Sequence, residues 1–226
     1  MTDAAQLPAI ASGLHGGPMA WLAIGSLAAA LIYGTVFMGR PPSATRTALK
    51  TLPVAVLAAI SFFGHAPPLL TLGLAVSALG DAFLAGDPKR WLPYGLAGFL
   101  VAHLCYIALF SLYGSWSTEP IGLAGVGIVV VVAVAMLAWL WRDLGPLTIP
   151  VILYVAAIAG MVAASLMLPT ARWPAVAGAL AFFASDALLS MQLFKKRLEG
   201  PAGAQAVWWL YYAGQVGIGL AFFGRV

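Results

Sequence analysis

Charged side chains are scarce in this 226-residue chain, in which only 8% of the residues are Asp, Glu, Lys or Arg. Soluble domains carry about 25% charged residues, so this composition excludes an ordinary water-soluble domain. Apolar residues make up 62% of the chain, and a helix needs about 20 mostly apolar residues to cross the hydrocarbon core of a bilayer. The sequence therefore predicts a single all-α integral membrane domain over residues 1–226, a polytopic helix bundle.

Cysteine and histidine are also rare. The single cysteine, Cys105, excludes an intrachain disulfide. A zinc site needs about three His, Cys or carboxylate ligands, and two of the three histidines, His15 and His65, lie outside the predicted spans. The polar N-terminal segment 1–18 contains no Lys or Arg, so it lacks the positive start of a signal peptide. These absences argue against a disulfide scaffold, an intramembrane metal centre and a cleaved leader.

Apolar runs separated by proline-containing breaks predict eight transmembrane helices. The predicted spans are 19–38, 51–63, 69–86, 92–113, 121–141, 148–167, 175–194 and 206–223. The second span is the weakest, because Lys50 precedes it and Pro53 falls in its first turn. Proline is tolerated there, since the N–H that it lacks would have no partner in a first turn.

The distribution of basic residues among the loops tests the prediction of eight spans. Nine of the eleven Lys and Arg residues fall in the loops that follow spans one, three, five and seven, whereas only Arg172 and Arg225 fall on the other side. Because basic loops stay cytoplasmic, this asymmetry predicts that both termini lie outside. The net charge of +4 therefore indicates membrane topology and not nucleic-acid binding. The short loops favour a bacterial inner membrane.

Asp81 and Asp186 are the only acidic residues within the predicted spans. A carboxylate at the centre of an isolated helix costs about 2.5–3.5 kcal/mol on insertion scales, so such residues usually face a bundle interior. Both acids lie at a similar depth on the cytoplasmic side, which predicts a polar cavity that opens toward that leaflet. The structural alternative is a buried acid paired with Lys50 or His103 to hold helices in register.

The two acids also lie in similar five-residue stretches, 80–84 (GDAFL) and 185–189 (SDALL). These stretches are four spans apart and would run in the same direction. A four-plus-four internal duplication would produce this pattern, although only five residues of common types carry it.

Further polar residues fall at comparable depths in the predicted spans, and interhelical hydrogen bonding is the simplest role for each. They are His103, Tyr106, Tyr154, Tyr212 and Gln215. Lys50, just before span two, reaches a similar depth, and its simplest role is to set the membrane topology. Taken together with the acids, they form an ordered set of short motifs from Lys50 to Gln215. The motifs are Lys50-x-x-Pro53, Gly80-Asp81-x-x-Leu84, Gly95-Leu96-x-x-Phe99-x-x-x-His103-x-x-Tyr106, Pro150-x-x-x-Tyr154, Phe183-x-Ser185-Asp186-x-x-Leu189 and Tyr212-x-x-Gln215.

In the order and spacing of these motifs the chain resembles the YhhN / TMEM86 family of membrane proteins, whose characterised members are lysoplasmalogenases. The resemblance implies hydrolysis of the sn-1 vinyl ether of a lysophospholipid to a fatty aldehyde and a glycerophosphodiester. Asp81 and Asp186 would then be catalytic, one donating a proton and the other acting as a base, with no metal or organic cofactor. The resemblance further implies a substrate-binding set of Lys50, His103, Tyr106, Tyr154, Ser185, Tyr212 and Gln215.

Two rival functions remain open at this stage. Intramembrane carboxylates and a parallel repeat suit a proton-coupled transporter of lipids or small molecules equally well. A lipid-binding scaffold without turnover would need the same cavity. Against transport, no predicted span is broken near its midpoint by paired Gly and Pro residues.

Overall fold

The computed structural model describes residues 17–115 and 120–223. Over these residues the chain forms eight α-helices joined by turns and short 3-10 segments, with no β-strand. They are α1 (Pro18–Ile32), α2 (Ala44–Phe63), α3 (Pro68–Leu84), α4 (Pro88–Tyr113), α5 (Pro120–Leu140), α6 (Thr148–Ser165), α7 (Trp173–Lys195) and α8 (Pro201–Leu220). The all-α prediction is confirmed. Apart from its last two residues, the polar segment 1–18 lies outside the described residues, and so does Arg225.

Six helices in the described part of the chain are long and apolar enough to cross a membrane. They are α2, α4, α5, α6, α7 and the first helix, which continues from α1 through a π-helical turn at Tyr33–Phe37. Helix α3 is apolar but has only 17 residues. Helix α8 has 20 residues, but two tryptophans, two tyrosines and two glutamines dilute its apolar content. All eight predicted helices form, while length and composition mark six of them as spans.

Helix α2 begins earlier than the sequence predicts. It starts at Ala44 and not near Thr51, because the Ser43 hydroxyl accepts a hydrogen bond from the backbone N–H of Arg46 at 3.2 Å and caps the helix. Pro53 consequently lies in the interior of the helix, and the expectation that it occupies a first turn is wrong. Arg46 and Lys50, which the sequence places in a loop, therefore lie in the first two turns of α2, whereas Arg40 lies before the helix.

Glycines bring two helix pairs into close contact. A Cβ atom on Gly98 of α4 would lie 3.1 Å from the Cα of Gly80 in α3. A Cβ atom on Gly178 of α7 would lie 2.6 Å from the carbonyl oxygen of Gly214 in α8. Small residues allow membrane helices to approach in this way. The α3–α4 contact fixes the backbone directly beside Asp81, and the α7–α8 contact lies two turns before Asp186.

Large apolar side chains lie both in the core of the bundle and on its outer surface. The core joins side chains from every helix, yet large apolar side chains also cover the outside. Phe62 is 65% exposed, Val131 is 68% exposed and Ile149 is 70% exposed. Soluble monomers rarely expose contiguous apolar patches of this kind, and such a surface is typical of a protein surrounded by lipid.

Candidate active site

Asp81 lies where α2, α3 and α8 meet. It is 1% exposed, since the glycine contact between α3 and α4 draws its backbone into the bundle. Its Oδ1 lies 3.5 Å from the ammonium Nζ of Lys50 in α2. Its Oδ2 accepts a 2.5 Å hydrogen bond from the hydroxyl of Tyr211 in α8. The Asp81 carboxyl group therefore has both an opposite charge and a phenolic donor.

Asp186 of α7 has different neighbours. The hydroxyl of Tyr154 in α6 donates a 2.6 Å hydrogen bond to its Oδ2. Nε2 of His103 in α4 lies 3.9 Å from the same oxygen, beyond hydrogen-bond distance. The imidazole is fully buried, and neither of its nitrogens has a hydrogen-bond partner among the described residues. Its ring packs edge-on against Tyr154, with centroids 5.1 Å apart, so the two side chains position one another beside Asp186.

Both carboxyl groups line one cleft of about 960 Å³, including space at its mouth, which we call the polar cleft. It lies between α2, α3, α4, α7 and α8. Its polar lining consists of Tyr33, Arg46, Lys50, Asp81, Ser185, Asp186, Gln192 and Tyr211. The inference that the two acids share one cavity is thus supported by the geometry.

Asp186 also lines a second cavity of about 620 Å³, including space at its opening, which we call the apolar pocket. Helices α4, α5, α6 and α7 enclose it, and nearly all of its lining is aliphatic or aromatic. Its polar side chains are Tyr154, Asp186 and Ser190. Of the two acids, Asp81 lines the polar cleft alone, whereas Asp186 lies between the polar cleft and the apolar pocket.

Three of the predicted substrate-binding residues line these cavities. Lys50 and Ser185 line the polar cleft, and Tyr154 lines the apolar pocket. The Ser185 hydroxyl already donates a hydrogen bond to the Val207 carbonyl oxygen at 2.9 Å. Ser185 therefore ties α7 to α8 at the wall of the cleft.

Four others, His103, Tyr106, Tyr212 and Gln215, line neither cavity. Tyr106 donates a 2.7 Å hydrogen bond to Oε1 of Gln215, joining α4 to α8. The Tyr212 hydroxyl lies 2.8 Å from the Ser26 hydroxyl, joining α8 to α1. These contacts are the interhelical hydrogen bonds that polar residues commonly make in membrane bundles, and direct substrate contact by these four residues stays a prediction.

Two residues of the site were missed by reasoning from the sequence. The predicted substrate-binding set contains Tyr212 and not its neighbour Tyr211. Tyr211 lies four residues before Gln215 and therefore on the same helix face. Arg46 was assigned to a loop and counted only as a topology signal. Recognising Ser43 as a helix cap would have placed Arg46 and Lys50 one turn apart on one face of α2.

The site offers carboxyl groups, phenols, one ammonium and one guanidinium group. Among residues 17–115 and 120–223, no three His, Cys, Asp or Glu side chains come together in a way that could hold a metal ion. Two carboxyl groups in one cavity can instead divide proton donation and proton acceptance between them. The arrangement therefore suits acid–base chemistry on a molecule that has one polar and one apolar end.

Fold and site together define a helical membrane protein in which the buried Asp81 and the partly buried Asp186 line one polar cleft, and Asp186 also lines an apolar pocket. Residues 45–222 match the model of the YhhN family. The chain is an integral membrane protein that belongs to the YhhN family, as its motifs predict.

Curated relatives carry a common name. Lysoplasmalogenases of Mycobacterium bovis and Mycobacterium tuberculosis are each 39% identical to this chain over 160 residues, which cover 68% of this chain and 60% of the relative. Bovine "Lysoplasmalogenase TMEM86A" is 33% identical over 159 residues, which cover 66% of this chain and 63% of the relative. The match therefore spans about three fifths of the length of these relatives. No solved structure matches the chain.

Proposed function

We propose that this protein is a hydrolase that cleaves the sn-1 vinyl ether of a lysoplasmalogen to a fatty aldehyde and glycerophosphoethanolamine or glycerophosphocholine. The observation that carries the proposal is the position of Asp186 between the two cavities, with Asp81 in the polar one. A lysoplasmalogen has its reactive bond where its single chain meets its polar head. With the chain in the apolar pocket and the head in the polar cleft, that bond lies beside Asp186. The name shared by the mycobacterial and bovine relatives supports the same reaction.

The chemistry follows from the reactivity of vinyl ethers. A carboxylic acid protonates the alkene carbon distant from the ether oxygen, and the double bond becomes an oxocarbenium ion. A carboxylate removes a proton from water, whose oxygen adds to the carbon beside the ether oxygen and forms a hemiacetal. Collapse of the hemiacetal returns one proton to the departing glycerol oxygen and the other to the first carboxylate. This division between an acid and a base parallels that in glycosidases, and the cycle ends with the site as it began.

The two cavities suggest which carboxyl group plays which part. The carbon that receives the proton lies on the chain side of the ether oxygen, and Asp186 is the acid that reaches the apolar pocket. Asp81 faces the polar cleft, where the ammonium group of Lys50 lies 3.5 Å away and can pair with a carboxylate. Asp186 is accordingly the proton donor, and Asp81 is the base and the group that stabilises the cation.

We also propose that all eight helices span the membrane, with both termini outside and the basic loops in the cytoplasm of a bacterium. At 1.5 Å per residue, the 17 residues of α3 reach about 25 Å. Contacts at the two ends of α8 support a full crossing. Near its start, Gln205 donates to the Gly34 carbonyl oxygen after α1, and after its end the Ala221 carbonyl oxygen accepts from Arg172 at 2.7 Å. A reporter active only in the cytoplasm, fused after Val226, should give no signal, and a strong signal there would contradict this topology.

The four-plus-four duplication stays part of the proposal. Glycines bring α3 and α4 together in the first half and α7 and α8 together in the second, and each acid lies on the first helix of its pair. A split expression of residues 1–115 and 116–226 should then give two halves that assemble with one another.

The decisive experiment is turnover by the purified protein. In detergent, with lysoplasmenylethanolamine as substrate and no added metal, we expect the release of one aldehyde for each vinyl ether consumed. Binding without release would favour the scaffold, and proton-dependent uptake by proteoliposomes without aldehyde release would favour the transporter. Either result would overturn the proposed reaction.

A further inference from the structure

Arg46 lies at the mouth of the polar cleft, one helical turn before Lys50 on the same face of α2. Two contacts hold its guanidinium group in place. Nη1 donates a 2.6 Å hydrogen bond to the carbonyl oxygen of Ala85, directly after α3. Cζ lies 6.0 Å from the centre of the Tyr33 ring. The guanidinium group is therefore fixed by the fold and not free to sample the solvent.

Part of this guanidinium group has no partner. Its Nε is buried, yet it makes no hydrogen bond to any residue in the described part of the chain. Both carboxyl groups of the cleft are engaged elsewhere, Asp81 by Lys50 and Tyr211, and Asp186 by Tyr154. A buried donor without an acceptor is destabilising, the more so when it is charged, so this atom calls for an acceptor that enters the cleft.

The geometry of arginine narrows the choice of acceptor. Nε–H lies on the same edge of the guanidinium plane as Nη2, and this edge binds two oxygens of a carboxylate or a phosphate side by side. Since Nη1 is held by Ala85, the Nε–Nη2 edge is the one left to face a ligand. Lys50, one turn away, adds a second positive charge to the same wall of the cleft.

We propose that Arg46 binds the phosphate of the substrate through its Nε–Nη2 edge and so selects phosphate-bearing single-chain ethers over neutral ones. The inference rests on the proposed function, since it uses the same placement of the head group in the polar cleft. It assigns Arg46 a role in substrate binding and leaves proton transfer to the two acids.

Binding is measured first, because it does not depend on turnover. The probes are two non-hydrolysable 1-O-alkyl compounds of equal chain length, a lysophosphoethanolamine and the neutral alkylglycerol. The wild type should bind the phosphate compound at least tenfold more tightly. Arg46→Gln should lose about 10- to 100-fold for the phosphate compound, as expected for a hydrogen bond to a charged group, and should leave the alkylglycerol within about twofold. Arg46→Lys, which keeps the charge but lacks the two-donor edge, should fall between them.

Arg40→Gln is the matched control. Arg40 belongs to the same basic connection between α1 and α2, but its Nε donates to the Val36 carbonyl oxygen and it does not line the polar cleft. It should bind both compounds as the wild type does. Glycerophosphoethanolamine and inorganic phosphate, used as competitors, distinguish a lipid head group from a free anion, since a site for free phosphate would bind inorganic phosphate as tightly as the alkyl lysophospholipid.

The outcomes separate this inference from the proposed function. Equal wild-type affinity for the two alkyl compounds overturns the role of Arg46 without any variant, even if a variant fails to fold. Equal losses for both compounds in Arg46→Gln would mean that Arg46 only supports the fold through Ala85. If selective phosphate binding is present but no aldehyde forms from the alkenyl substrate, the proposed reaction is wrong, while the proposed role of Arg46 in phosphate binding is upheld. With turnover, the kcat/KM of Arg46→Gln should fall through a higher KM for the phosphate-bearing substrate.

Discussion

Asp81 and Asp186 occupy stretches of similar sequence, yet their surroundings differ in kind. Asp81 is fully buried beside an ammonium group and a phenol, and it faces the polar cleft alone. Asp186 has the phenol of Tyr154 and the imidazole ring of His103 nearby, and it lines both cavities. Two similar five-residue stretches thus lie in two different chemical environments, because the helices packed against each acid differ. The similar sequences place each carboxyl group on an equivalent helix, while the neighbouring helices determine its hydrogen-bond and charge partners.

The largest expected effect comes from replacing either acid. Asp81→Asn and Asp186→Asn should each lower aldehyde release by about 10²–10⁴, since an amide neither donates a carboxyl proton nor accepts one usefully. The double variant should be scarcely worse than either single one, because residues that act as a unit are not additive. The measurement is kcat with purified, monodisperse protein.

Asp143→Asn is the control for removing a carboxylate outside the two cavities. Asp143 pairs with Lys195 near the same end of the bundle but lines neither cavity, so its variant should keep the wild-type rate. More than about a tenth of wild-type activity in either active-site variant would make that acid structural on this scale of catalytic factors.

The second prediction compares the two phenols. Tyr211→Phe removes a hydrogen bond to Asp81, and Tyr154→Phe removes one to Asp186. Hydrogen bonds to charged groups contribute about 1.5–3 kcal/mol and neutral ones about 0.5–1.5 kcal/mol. If Asp81 is the carboxylate and Asp186 the acid, Tyr211→Phe should cost about 10- to 100-fold in kcat and Tyr154→Phe about 2- to 10-fold.

Tyr113→Phe is the matched control for both phenols, because Tyr113 is 39% exposed at the end of α4 and lines neither cavity, so the loss of its hydroxyl should leave kcat unchanged. The reverse order, with Tyr154→Phe the more damaging of the two, would exchange the roles assigned to the acids.

The third prediction concerns the apolar pocket. Val155 of α6 lines it, and Val155→Phe should shorten the space for a chain. Since each buried CH₂ contributes about 0.8 kcal/mol, a long alkenyl chain should lose about tenfold in kcat/KM relative to a short one. Leu153→Phe, on the exposed face of the same helix, should not change this ratio. An unchanged ratio in Val155→Phe would place the chain elsewhere.

The smallest effect is expected at His103. Its ring makes no hydrogen bond within the described residues and lies 3.9 Å from Asp186. His103→Gln should therefore lower kcat only a few-fold, on the scale of a weak neutral contact. A loss as large as that in Asp186→Asn would instead make the imidazole part of the proton path.

Much of the fold could be predicted from hydropathy and prolines, because each helix must fill the bilayer and each break needs a turn. The start of α2 could not, since Arg46 and Lys50 resemble loop residues until Ser43 is recognised as a cap. The shared cleft of Asp81 and Asp186 could be predicted from their similar depth in the spans. The contact of Tyr211 with Asp81 could not be predicted in the same way, because the rotation of a helix about its axis depends on its neighbours. Only the packing of α8 between α1, α2 and α7 shows which tyrosine faces Asp81.

The position of Asp186 between the two cavities also bears on how a reaction cycle would end. On the proposed reaction, the aldehyde is formed in the apolar pocket and the glycerophosphodiester in the polar cleft. Each product then already sits in the phase that dissolves it, one in the hydrocarbon of the bilayer and the other in water. Added glycerophosphodiester should compete for the enzyme from the aqueous side alone, while the aldehyde should accumulate in the membrane and inhibit in proportion to its concentration there.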